Sequence, residues 1–155
     1  MNVDHANRAD LADIIDLRGR AFLQLAPQFY SSAEVKNLLA DYTTAQILNM
    51  IADKRLFCYR LGDRLSGTCG WEEDRLRHLY VDPEFFGHGI GTALLEHTVA
   101  DFRARTRHRT IQAGVILYAR GFYEKCGFQV VSKERAWDGS EYYSMQRNIS
   151  PQLHF

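Results

Sequence analysis

The sequence has no excess of either charge, no long apolar run and too few cysteines to staple a fold, and each absence removes a class of function. Nineteen Lys plus Arg cancel nineteen Asp plus Glu, so no global field draws the chain to nucleic acid or an acidic membrane. The expected partner is a small molecule or a local protein site. No apolar run approaches the roughly 18 residues of a membrane span, and the opening MNVDHANRAD lacks the apolar centre of a secretory signal. A cytoplasmic protein with no membrane partner is the expectation. Cys58, Cys69 and Cys126 are odd in number and show no C-x-x-C spacing, which argues against a disulfide framework and a structural zinc site. Buried free thiols and no metal follow. Repeats, low-complexity stretches and linkers are also lacking, so residues 1–155, 46% hydrophobic and 25% charged, read as one globular domain with only the tail from Ser150 expendable.

What is present begins with helices over 8–53. A short edge strand is expected at Val3 to Asn7. Asp10, with Asp13 three residues on, reads as an N-cap, and Leu11, Ile14, Ile15 and Phe22 trace a helical stripe up to a break at Pro27. Ser31 or Ser32 caps a second helix carrying Val35, Leu38 and Leu39, and a third covers Ala45 to Ala52. From Leu56 the texture changes to strands: Leu56 to Leu61, a turn at Gly62-Asp63, a partner strand from Leu65, and another strand from Arg75 to Val81, ended by Asp82-Pro83. In that last strand, strict alternation puts Leu76, His78 and Tyr80 on one face, whereas the apolar set to be buried together is Leu76, Leu79 and Val81. A β-bulge near Arg77 or His78 restores the phase; a strand buried on both faces accounts for it equally. Next come a helix with Ile90, Leu94, Leu95, Val99 and Phe102 on one stripe, ending before the basic run from Arg103 to Arg109, and a strand over Thr110 to Val115. A short helix from Ala119 stops at Gly127, followed by strands at Phe128 to Val131 and Glu141 to Met145.

Gly87-His88-Gly89-Ile90-Gly91 lies between a strand and a helix, where the first helical amides have no internal partners and the dipole is positive. Glycines allow positive φ and close approach, so the turn suits a phosphate-bearing ligand, although a tight turn without a ligand would use the same residues. It is not a nucleoside triphosphate loop, because no lysine precedes Thr92. It is not a dinucleotide fingerprint either, because the spacing is G-x-G-x-G, late in the chain and behind antiparallel strands.

Two segments carry a resemblance. Leu79-Tyr-Val-Asp-Pro-Glu-Phe-Phe-Gly-His-Gly-Ile-Gly-Thr-Ala-Leu-Leu95 resembles the acetyl-CoA motif of the GNAT N-acetyltransferase superfamily, and Ala119-Arg-Gly-Phe-Tyr-Glu-Lys-Cys-Gly-Phe128 is similar to the family's A-x-x-F-Y-x-x-x-G-F segment. The order of elements is family-like from Leu56 to Asn148, and loosely so before it. The resemblance implies a mixed α/β fold with a mostly antiparallel central sheet flanked by helices and a splayed or bulged central strand, the acetyl-CoA motif covering 76–105 and the C-terminal motif 110–148. It also implies acetyl-CoA as cosubstrate. Its pyrophosphate would lie on Phe86, Gly87, His88, Gly89, Ile90, Gly91 and Thr92, and its pantetheine against Leu79, Tyr80 and Val81. Two positions depart from the family: Phe86 stands where Arg or Gln is usual, and Ile116 where many members have Asn.

Under that resemblance the reaction is direct transfer of an acetyl group to an amine, favouring a small molecule, with a protein amine as alternative. A regulatory module that binds acyl-CoA without turnover is the rival reading, and a homodimer is left open. Tyr123 matches the family's proton donor to the leaving thiolate. An amide of Leu79 or Tyr80, freed by the bulge, would polarise the thioester carbonyl. Candidate bases are His78, whose reference pKa of about 6.5 suits neutral pH, and Glu72, Glu73 or Asp74. Trp71, Trp137, Tyr142 and Tyr143 are candidate walls of an acceptor pocket. His97, His108 and the arginines from Arg103 to Arg109 read as solvated groups, the arginines complementing a helix dipole.

Overall fold

In the computed structural model, which describes residues 2–150, the helices start where side chains can satisfy free amides. Helix α1 covers Leu11–Leu25, α2 Ser32–Leu39 and α3 Thr44–Ala52. Ser31 with Glu34, and Thr43 with Gln46, form reciprocal capping boxes at the starts of α2 and α3. Asp10 occupies the N-cap position of α1 as expected, but its side chain makes no capping bond there. A 3-10 turn over Arg8–Asp10 precedes α1 and is capped by Asn7. The Asp10 carboxylate instead accepts from the Asn7 amide at 2.8 Å and pairs with Arg60 at 2.7 Å. After Leu25 a 3-10 turn holding Pro27 ends the helix.

The strands are β1 (Val3–His5), β2 (Leu56–Leu61), β3 (Arg64–Glu72), β4 (Arg75–Val81), β5 (Thr110–Ile116), β6 (Gln129–Arg135) and β7 (Glu141–Asn148), with helices α4 (Ile90–Arg105) and α5 (Arg120–Lys125) between them. They form one sheet of order β1-β2-β3-β4-β5-β7-β6. Every neighbouring pair in this order is antiparallel except β4 with β5, so the mixed, mostly antiparallel sheet expected from the sequence is present. Helix α4 runs through Arg103 and Arg105 instead of stopping before them. Arg105 is not merely solvated, since it donates to the carbonyls of Lys54 at 2.9 Å and Asp53 at 2.8 Å. One face of the sheet packs on the full apolar stripe of α4, with Phe57, Ile111, Val115 and Met145 opposite. The other face packs on Ile14 and Leu17 of α1 and Ile47 and Met50 of α3. His97 rests edge-on against Phe57 at 4.6 Å and His108 stacks on Phe102 at 5.6 Å, so both rings do packing work that helical phase alone did not predict.

The bulge is at His78. Thr68 pairs with Tyr80 and Gly70 with Arg77, which leaves His78 and Leu79 together opposite Cys69. His78 takes φ of +57°, and its carbonyl accepts from the Thr68 hydroxyl at 2.8 Å, a side-chain bond in place of a ladder bond. Already before the bulge β4 leaves β5: the two share a single register pair, Arg75 with Gln112. Their divergence opens the sheet toward the end where β4 runs into the glycine turn.

Asp82 anchors that exit. Its side chain is 2% exposed and accepts from Arg20 at 2.8 Å, Arg64 at 2.9 Å and the Glu84 amide at 3.0 Å. Burial pushes the Asp82 carboxyl up, but Arg20, the Glu84 amide and Arg64 outweigh it and hold the group below its ordinary value of 3.8. A carboxyl depressed in the folded state stabilises it above the ordinary value and loses that contribution as pH falls through the lowered one. Asp82→Asn is therefore expected to cost about 1–2 kcal/mol in urea unfolding at pH 7, with the difference from the wild type shrinking as pH is lowered below the ordinary carboxylate range. Equal stability at neutral pH would show that the two arginines do not depend on this charge.

Candidate functional site

After Asp82, a 3-10 turn over Pro83–Phe85 leads into the glycine turn, and Gly89 caps α4 in the left-handed region. Gly87 and Gly89 have φ of +83° and +77°, and a β-carbon at either would meet open space. At these positions glycine is required by backbone angle and not by crowding. Gly91 differs: a β-carbon there would lie 3.2 Å from the Phe122 ring, so its lack of a side chain lets α4 and α5 approach. The first amides of a 16-residue helix thus face solvent behind two residues that carry no side chain.

Two cavities meet beneath this turn. The first, of about 440 Å³, is lined by Leu79, Tyr80, Val81, Phe86, Gly87, Gly89, Ile90, Gly91 and Thr92, closed by Ala21 and Leu25 of α1 and by Tyr118, Phe122 and Tyr123. Of the residues expected to hold a cofactor, His88 is not on this wall; its ring lies edge-on to Phe85 at 6.3 Å. The Ile90 side chain belongs to the core at 3% exposure, so Ile90 can offer the cavity little beyond backbone. The second cavity, of about 370 Å³, lies in the opening between β4 and β5 and includes His78 on its wall. Leu79, Tyr80, Ile116, Ala119 and Tyr123 line both. The Asp82 amide bonds the Ser66 carbonyl. By the alternation of an antiparallel pair, Tyr80 then bonds toward β3, while the amides of Leu79 and Val81 point into the opening.

The electrostatics differ at the two sequence-predicted catalytic residues. Tyr123 sits against Phe122 and Phe128 at ring distances of 5.6 and 5.3 Å, and burial pushes its phenol well above the ordinary 10.0. It stays protonated at any working pH. The His78 imidazole is pushed down to about 4 by burial, with the positive charges of Arg18 and Arg77 adding to the effect. Its ordinary pKa was the sequence argument for a base near neutral pH, and burial beside two arginines has removed it: the ring is neutral and weakly basic.

Other sequence candidates fall elsewhere. Glu72 and Glu73 line a separate surface depression with Arg55, Trp71 and Arg105, at the end of the β3–β4 hairpin away from the bulge, and Asp74 contributes its carbonyl to the Gln112 amide at 2.8 Å. Trp71 is buried, donating to Asp101 at 2.8 Å, and Trp137 is 88% exposed. Tyr143 lies beneath Arg120 at 5.0 Å. Among these aromatics only Tyr142 lines the second cavity. Sequence reasoning did not single out Arg18, Asp41 or Glu141, which also line it. Arg18 alone left a signal: a charged residue one position beyond Leu17 inside the buried face of α1. All three cysteines are free and buried. Cys126 lies inside the second motif, so the motifs themselves do not exclude a thiol nucleophile; the exclusion comes from its burial and raised pKa, and from its absence from both cavity walls.

Comparison with known proteins agrees with this geometry. An uncharacterized N-acetyltransferase of Methanocaldococcus jannaschii is 24% identical, the match covering 87% of this chain and 63% of the relative, so the chain spans under two thirds of that protein's length. A GCN5-related N-acetyltransferase from Rhodopseudomonas palustris superposes with a TM-score of 0.80 at 16% identity over 95% of this chain and 94% of its own. The PaiA N-acetyltransferase of Thermoplasma acidophilum, solved in complex with coenzyme A, gives 0.74 at 17% identity over 95% and 98%. An aminoglycoside 6'-N-acetyltransferase complexed with coenzyme A gives 0.68 at 18% identity over 99% and 100%. At such identities the superpositions establish the fold, and the family rests on the match of the acetyltransferase (GNAT) domain model to residues 27–149. The chain belongs to the GNAT acetyltransferase family.

Proposed function

We propose that the chain moves an acetyl group from acetyl-CoA directly to the amine of a small molecule, and does so in the cytoplasm. The observation that carries this reading is the shared wall: Leu79, Tyr80 and Tyr123 separate a cavity roofed by a phosphate-suited turn from a second one of small-molecule size. Buried, reduced thiols agree with the compartment. Acetyl-CoA, when bound, supplies an activated thioester carbonyl and a thiolate leaving group.

The chain's own residues meet those demands in order. Backbone amides from Gly87 to Thr92 hold pyrophosphate without help from residue 86, because Phe86 has no charge to offer and stands 44% exposed at the rim. The free amides of Leu79 and Val81 hold the pantetheine arm in the strand's place, and the Leu79 amide donates to the carbonyl oxygen as negative charge develops there. Tyr123, kept protonated by burial, donates to the departing sulfur, whose thiol pKa is about 8.5. Neutral His78 accepts a hydrogen bond from the attacking amine. Being a weak base, it passes the released proton to water in the open cavity and does not retain it. Cys58 and Cys69, pushed up to about 12 by burial, offer no thiolate for an acyl-enzyme.

Three results test the reading. Tyr123→Phe should lower kcat by about 10²–10³, within the range for losing one general acid or one preorganised donor, while CoA affinity by calorimetry stays within twofold; unchanged turnover would remove the acid role. Gly89→Glu places a charge in the cradle at a positive φ, and is expected to weaken CoA binding at least tenfold in a variant whose circular dichroism is unaltered. If CoA still binds it normally, the pyrophosphate lies elsewhere. Finally, because His78 titrates near 4, histidine NMR should find this ring neutral down to about pH 5, and kcat/KM should show no inflection near 6.5. An inflection there that vanishes in His78→Gln would restore it as a general base.

A further inference from the structure

The second cavity contains a charge with no counterion. Arg18 lies on its wall and is 4% exposed, yet among the described residues it forms no salt bridge. Its Nη1 and Nη2 donate to the carbonyls of Leu39 and Leu38, the latter at 2.8 Å, at the C-terminal and therefore partly negative end of α2. Tyr42 and Tyr80 cover the guanidinium at 4.5 and 5.6 Å. Nε is left buried with no hydrogen-bond partner. Arginine cannot discard its proton to escape this cost, and an unpaired charge is among the most expensive things a protein buries. Carbonyls and rings soften the penalty without cancelling the charge.

The surrounding groups do not cancel it either. Arg75 and Arg77 of β4 edge the same cavity, with Arg77 only loosely paired to Glu72 at 3.6 Å. Of the two acids on the wall, Glu141 already faces Lys133 at 3.5 Å and Arg135 at 3.8 Å, and Asp41 is exposed at the rim. Phe22, Leu38 and Val115 supply apolar walls. Arg75 and Arg77 are exposed like Asp41, so the deep end takes its charge from Arg18 and is otherwise partly greasy, hostile to a polyamine and suited to an anion attached to an apolar body. Tyr80 beneath Arg18 also forms part of the wall shared with the first cavity, so an anion at Arg18 lies close to the reacting end.

We infer that the acceptor is an amino acid or short peptide whose free carboxylate is bound by the Arg18 guanidinium, assisted by Arg77, with its apolar side chain in the cavity and its amine directed toward Tyr123. This rests on the acetyl-transfer reading above for the reaction, but not for binding. The transfer balances: the acceptor's ammonium gives one proton through His78 to water, the neutral amine nitrogen forms the bond to the acetyl carbon, the carbon–sulfur bond breaks as Tyr123 protonates the sulfur, and the second nitrogen proton, released from the tetrahedral adduct, restores the Tyr123 phenol.

Calorimetry on the free protein compares leucine with isoamylamine and leucinamide, which differ from it only at the carboxylate, and with spermidine. Leucine should bind about ten- to hundredfold more tightly than the other three, the range set by one charged hydrogen-bonded contact. Arg18→Met should abolish that preference. Because Arg18 also ties α1 to α2, Arg77→Gln is the second variant, expected to lower leucine affinity several-fold with an unchanged melting temperature and no effect on isoamylamine. Equal affinity for leucine and isoamylamine, preference for spermidine, or no binding of leucine overturns the inference. Thiol release from acetyl-CoA with the same four compounds then separates the two readings: leucine bound but not acetylated leaves the carboxylate site standing and sinks the transferase, whereas spermidine acetylated in preference does the reverse.

Discussion

The parting of β4 from β5 after a single register pair is the constraint on which the functional parts depend. A continuous sheet would spend the outward amides of Leu79 and Val81 on a neighbouring strand. It would also fill the space between β4 and β5 with side chains. Breaking the ladder is costly unless the freed groups find partners. The bulge at His78 limits the damage on the β3 side by handing its carbonyl to the Thr68 hydroxyl, and leaves the other edge of β4 available to a ligand. Strain at one residue, with φ of +57°, thus produces both an extended docking edge and a cavity beside it.

An opening in a sheet tends to close by collapse, and the N-terminal helices prevent it. The Tyr30 hydroxyl accepts from the Leu117 amide at 2.9 Å and donates to the Glu141 carbonyl at 2.7 Å, bridging the end of β5 to the start of β7 from a position just before α2. Asn37 of α2 donates to Asp138 at 3.0 Å in the β6–β7 turn, and the same Asp138 accepts from the Ser140 amide and hydroxyl. Arg18 joins α1 to the end of α2. These long-range bonds hold the rim of the second cavity, and α1 reaches the first as well, through Arg20 on Asp82 and through Ala21 and Leu25 on its wall, whereas the backbone of the glycine turn and of the bulge is set within a few consecutive residues.

This division explains what could be read from the sequence. The glycine turn and the bulge are local: the turn follows from a few consecutive residues, and the phase error among Leu76, His78 and Leu79 pointed to a bulge near Arg77 or His78, with a strand buried on both faces as the equal alternative, whereas Tyr123 was legible only through the resemblance of its segment to the GNAT family. The aromatic acceptor wall was not legible. Trp71 is held by Asp101 and α4, and Trp137 sits on an exposed hairpin turn, both decided by contacts across many residues. The acids at Glu72 to Asp74 are close to His78 in sequence but at the far end of a hairpin in space. Arg18 and Tyr30 matter through partners 20 to 111 positions away, beyond any local pattern. The expected capping bond at Asp10 failed for a related reason: Asn7 is an equally good cap three residues earlier, and Arg60 supplies a better use for the Asp10 carboxylate.

The burial of the three cysteines also protects the chain. A thioester is an electrophile toward any thiolate it meets, and a protein that concentrates one beside its own core risks acylating itself by exchange. Cys69 lies directly opposite the bulge, across the strand pair from the edge that would carry the thioester. With its thiol held near 12, the thiolate fraction at neutral pH is vanishing, so this sulfur is disarmed by the same packing that surrounds the bulge. Loosening that packing, by a cavity in the β3–α4 core, would expose the chain to slow inactivation by its own donor.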